Sequence, residues 1–113
     1  MTTQPYPEHL DCLWLASDSE GHLGAFITAG AGPIPKVALN FIGLPVVDTG
    51  DRLGQLPAIS EAQSIASFSL PDDVIDLAER GIFVYDWSDV HRSKSRGLKK
   101  YELYAVPTNP ITV

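Results

Sequence analysis

The stretch "LDCLWLASDSEGHLGAFIT", residues 10–28, constrains the fold more than any other. Leu10 to Ser17 is rich in large apolar residues. From His22 to Thr28, Leu23, Ala25 and Ile27 alternate with His22, Gly24 and Phe26, the period of two that marks a half-buried strand. Between the two runs lies "DSEG", residues 18–21. Asp18 suits the first position of a type I turn and Gly21 the left-handed position that follows, which is the signature of a three-residue hairpin closed by a glycine bulge. Two strands alone are marginal in water, so the remaining chain must extend this pair and cover a face of it.

The clearest helix is "LPDDVIDLAERG", residues 70–81. Pro71 starts it, Asp72 and Asp73 complement its positive end, Arg80 occupies its last turn and Gly81 stops it. Val74, Ile75, Leu77 and Ala78 form its apolar stripe. "IFVYDW", 82–87, follows at once as a third strand and "KYELYAVP", 100–107, as a fourth, separated by the polar, basic loop "SDVHRSKSRGL". A shorter helix, Lys36 to Ile42, is expected after Pro35 and is ended by Gly43. Residues 44–57, "LPVVDTGDRLGQLP", read as irregular. Ser60 and Gln63 form a capping-box pattern that favours a short helix, although "SIASFSL" also alternates as a strand would; the helix is taken first. Residues 1–9, with Pro5 and Pro7, read as an extended arm. The expected architecture is a single α+β domain over residues 1–113. It has an antiparallel sheet of about four strands, in two hairpin-like pairs, with two or three short helices on one face.

With 113 residues, 44% of them hydrophobic and 19% charged, the composition is that of a globular domain with one core. Apolar runs are strand-sized, far short of the roughly 20 residues of a membrane span. The start "MTTQPYPEHL" has neither the basic nor the apolar region of a signal peptide, and the single cysteine, Cys12, has no partner for an internal disulfide, so a cytoplasmic setting is expected. The net charge of −6 is uneven. Residues 1–91 hold three basic residues against 13 acids, a balance of −10, and residues 92–113 hold five basic residues against one acid, a balance of +4. An acidic body repels phosphates, which disfavours nucleic acid as a partner, and suits a basic protein.

Little in the chain carries chemistry. "GAGPIP", residues 30–35, has the location of a phosphate loop, between a strand and a helix start. Pro33 and Pro35 lack the N–H groups that would bind an anion, and glycine is missing where a dinucleotide fingerprint needs it. Gly30 and Gly32 are therefore read as bending the chain. His9, His22 and His91 offer no metal-ligand spacing, and Asp48 with Asp51 lacks the pattern of a calcium loop. Cys12 and His22 lie on paired strands and could form a dyad, but a buried cysteine beside a strand-edge histidine is the favoured reading. Phe83, Tyr85 and Trp87 share one side of their strand, as core or as an exposed aromatic patch. No catalytic, cofactor or metal set is read. Asp72, Asp73, Asp76 and Glu79 line one helix whose apolar stripe is needed for the core, which turns the acids outward as a contact surface.

"WLASDSEGHLGAFITAGAGPIP", "LAERGIFVYDW" and "YAVPTNPI" together resemble a group of small, mostly uncharacterised bacterial proteins, some of which resemble immunity proteins of toxin systems. The likeness covers about half the chain and rests on glycine, proline and core positions, so it implies a fold and transfers no functional residue. The function it favours is a non-enzymatic cytoplasmic binding protein, an immunity-type inhibitor of a basic toxin. A small enzyme or ligand-binding domain using Cys12 and His22, or the Gly30–Pro35 turn, is the alternative from another class. A structural or homo-oligomerising module is a third.

Overall fold

A computed structural model describes residues 11–30, 32–40, 49–65, 69–87 and 100–112. The expected arm, Gly43, and the basic loop with Arg92, Lys94, Arg96 and Lys99 lie outside these residues.

The hairpin forms as the turn residues dictate. Strands β1 (Leu13–Ser17) and β2 (Leu23–Ile27) pair antiparallel, with Leu13 opposite Ile27 and Ser17 opposite Leu23. Gly21 takes φ 83°, and the Gly21 and Asp18 amides donate to the Asp18 and His22 carbonyls. One side of the pair carries Leu13, Leu15, Ala25 and Ile27; the other carries Trp14, Gly24 and Phe26.

The acidic helix, α3 (Asp72–Glu79), is preceded by Pro71 at φ −60° and ψ 152°. Its end is a Schellman motif. Gly81 adopts φ 86°, its amide donates to the Ala78 carbonyl, and the Ile82 amide reaches back to Leu77. Leu77 and Ile82 then meet in the core. Strand β4 (Phe83–Trp87) follows immediately, and β5 (Tyr101–Pro107) pairs with it antiparallel.

Four expectations need correction, the fourth being the placement of the helices on one face. The fold is α+β, as expected, but with β3 (Ala62–Ser64) the sheet has five strands, not four, in the order β1-β2-β4-β5-β3, and it is mixed. Strand β2 pairs with β4 in parallel because the long connection through the helices returns the chain to the same end of the sheet. Where a helix near residues 60–70 is expected, residues 62–64 are strand β3 (Ala62–Ser64), held by pairing with the free edge of β5 and not by the alternation of 64–70, of which residues 66–68 lie outside the described residues. The stretch read as irregular holds a short helix, α2 (Thr49–Leu53), whose Thr49 and Leu53 are buried. Helix α1 (Lys36–Asn40) forms where expected.

The helices also divide between the two faces. Val74, Leu77 and Ala78 of α3 and Leu53 of α2 pack on Leu13, Ala25, Ile27, Ile82, Val84, Tyr104 and Ala105. Consecutive residues Tyr104 and Ala105 both enter this core because a bulge opposite Val84/Tyr85 interrupts the alternation. On the other face Ile34 and Leu39 form a small cluster with Cys12 and Trp14. There Phe26 stacks between Trp14 and Tyr85, with ring centroids 4.2 Å and 4.5 Å away. Tyr85 and Trp87 are half-buried members of this aromatic row. No helix among the described residues is long and apolar enough to cross a membrane.

Candidate functional site

Where β1 and β2 meet α2 and α3, the fold leaves a cleft of about 450 Å³. Its floor is apolar: Leu13, Ile27 and Leu77. Its walls are polar and mainly acidic. Asp11 precedes β1, Asp51 stands on α2, and Asp73 and Asp76 stand on α3. Gly50 of α2 lies over β1, where an added Cβ would make an ordinary contact with Leu13 Cδ2 at 3.6 Å.

Arg80 is the cation of the lining, and its guanidinium is held by backbone carbonyls. Nη1 donates to the Asp76 carbonyl at 2.8 Å and Nη2 to the Gly54 carbonyl at 3.0 Å. Both carbonyls belong to helix ends, whose negative dipole ends favour a guanidinium. Arg80 thereby ties α2 to α3, and its one charge leaves the four acids of the lining in excess. Asp11 accepts from the Ala29 amide and Asp73 from the Val74 amide. None of the four carboxylates makes an ion pair among the described residues. The arrangement attracts cations and has an apolar floor for the stem that carries the charge.

Cys12 also lines the cleft. Burial pushes its thiol above the ordinary value and the Asp11 charge adds to this, against a lowering contact from the Thr28 hydroxyl 3.8 Å from Sγ. The thiolate is the nucleophilic form, so this thiol is poorly set up for covalent chemistry.

The structure separates the two members of the proposed dyad. Cys12 lies beside Thr28, whose amide donates to its carbonyl, whereas His22 lies beside Asp18 at the opposite end of the hairpin. At about 3.4 Å per residue the intervening strand keeps them on the order of 20 Å apart.

The glycine turn is held by backbone and aromatic contacts. Ala29 and Gly30 take φ 51° and 81°, and the Gly32 amide donates to the Thr28 carbonyl. Tyr101 Oη donates to the Pro33 carbonyl at 2.9 Å and accepts from Trp14 Nε1 at 3.1 Å. Gly32 is needed for space: a Cβ there would lie 2.5 Å from Tyr101 Oη.

Of the four acids read as a contact surface, Asp73 and Asp76 border the cleft. Asp72 is exposed outside it, and Glu79 is half-buried, its carbonyl accepting from the Ile59 and Ser60 amides. Asp11 and Asp51 complete the ring and were not singled out from the sequence as part of this surface. Asp48 and His9 lie outside the described residues. Compared with protein families, curated proteins and solved structures, the chain matches none.

Proposed function

We propose that this is a non-enzymatic binding protein whose acidic cleft receives a basic side chain of a protein partner, in the manner of an immunity-type inhibitor covering a basic toxin. One observation carries the reading: four carboxylates surround an apolar-floored cleft against a single cation, Arg80, whose guanidinium is held by backbone carbonyls. A lysine or arginine fits this site, its stem on Leu13, Ile27 and Leu77 and its charged head among the acids. The acidic body adds long-range attraction that speeds encounter.

Concavity favours a second reading, a small organic amine as ligand, because a broad inhibitory surface needs no cleft. The two separate by experiment. A basic partner recovered by pull-down should associate more slowly with the Asp73→Lys, Asp76→Lys variant, with a flatter salt dependence and a little-changed melting temperature. Asp72→Lys, outside the cleft, should slow it less. An unchanged association rate in the double variant would retire the protein-binding reading. Saturable stabilisation by spermidine or arginine, lost in the same variant, would establish the amine reading instead.

A further inference from the structure

The β1–β2 turn gathers three metal-ligating groups away from the cleft. His22 Nδ1 lies 3.5 Å from Asp18 Oδ2 and 3.7 Å from Glu20 Oε2, and the three ligand atoms are all within 4.8 Å of one another. A tetrahedral ion with bonds of about 2.1 Å holds its ligands about 3.4 Å apart, so both histidine edges are near the required length. The division of labour within Asp18 helps. Oδ1 accepts from the Glu20 and His22 amides at 2.9 Å and 3.0 Å, which leaves Oδ2 for the imidazole side. His22 is placed by its backbone bridge to Thr112 and by the Phe83 ring, 5.7 Å away between centroids. Two members of the triad, Asp18 and His22, also border a recess of about 200 Å³ over Gly24, with Phe26, Phe83 and Tyr85 as its aromatic wall. Water or a ligand atom in that recess has room to complete a coordination sphere.

We propose that Asp18, Glu20 and His22 bind a first-row transition-metal dication of the Zn2+ class. The imidazole nitrogen selects this class over Ca2+ and Mg2+, which take oxygen ligands. Glu20 is the adjustable ligand, since its side chain is exposed and makes no other contact among the described residues.

The test is calorimetric titration of the full chain with Zn2+ alone, repeated with Ca2+ as a competitor. One equivalent of Zn2+ binds, and His22→Ala and Glu20→Gln each weaken it about tenfold or more, at least the loss seen when outer-shell partners of metal ligands are removed. Glu20→Gln guards against a folding artefact, because Glu20 supplies only an amide to the turn. Asp51→Asn, Asp76→Asn in the cleft leaves the affinity unchanged, which keeps this site distinct from the cleft. No saturable heat at millimolar Zn2+ overturns the proposal. So does binding that survives His22→Ala, and so does Ca2+ competing as an equal, since either removes the imidazole from the ligand set.

Discussion

Gly32 shows how one missing methyl group organises the aromatic face. Tyr101 crosses it to bond both Trp14 and the Pro33 carbonyl, so the turn leading to α1 is fastened to β5 through the space a side chain would fill. Gly32→Ala should cost about 1–3 kcal/mol by overpacking, read as a lower denaturant midpoint at unchanged m-value. Ala29 poses the opposite case. It holds φ 51°, a conformation that costs a side chain roughly 1–2 kcal/mol, while its amide is anchored on Asp11. Ala29→Gly relieves that strain and loosens the unfolded chain somewhat, so a net gain of about 1 kcal/mol or less is expected, visible as a small rise in Tm. Cys12 belongs at this scale too. Its raised thiol pKa predicts alkylation near neutral pH that is slower in the folded protein than in urea, and equal rates in both states would contradict the burial argument.

At the scale of elements, the hairpin carries a pH dependence of known sign. The His22 amide, with the Glu20 amide and the imidazole adding, holds the Asp18 carboxyl below its ordinary value. A carboxyl depressed in the folded state binds protons less tightly there than in the unfolded chain. Its stabilisation is therefore present above about pH 4 and lost as pH falls through the lower folded value. Asp18→Asn keeps an oxygen acceptor for the two amides and should show a shallower loss of stability across that acid window. Identical acid limbs in urea titrations of both proteins would refute this. Helix α3 has a different anchor: its Schellman end places Ile82 beside Leu77 and delivers the chain straight into β4 with no intervening loop.

For the whole molecule, the cleft and the core share a floor. Leu77 is 6% exposed, packs in the main cluster and lines the cleft, so a change there is felt by both. Leu77→Ala should destabilise by about 2–4 kcal/mol through lost burial and the residual cavity. Arg80→Ala should cost less, about 1–2 kcal/mol for two hydrogen bonds to carbonyls, yet it removes the positive charge from among the acids. On the binding reading proposed above, it should strengthen attraction of a basic partner while lowering Tm. That pairing of opposite effects is checked by measuring both on one preparation.

Local chemistry sufficed for the elements whose signals lie within a few residues. Asp18 and Gly21 specify the hairpin turn, and Pro71 and Gly81 bracket α3, because turn and cap geometries depend on the dihedrals of single residues. The outward direction of Asp73 and Asp76 followed from the Val74, Leu77 and Ala78 stripe in the same way. Non-local pairing could not be read from the chain. Whether β2 meets β4 in parallel depends on where a long connection returns, and residues 62–64 became a strand because β5 offers them hydrogen-bonding groups that local propensity does not register. Helix α2 was hidden because it is only five residues long and Gly50 lowers its intrinsic propensity; packing of Thr49 and Leu53 stabilises it instead. The cleft is the extreme case: Asp11, Asp51, Asp73 and Asp76 come from three separate segments, and only burial of their apolar neighbours Leu13, Leu53 and Leu77 in one core brings their charges round a common space.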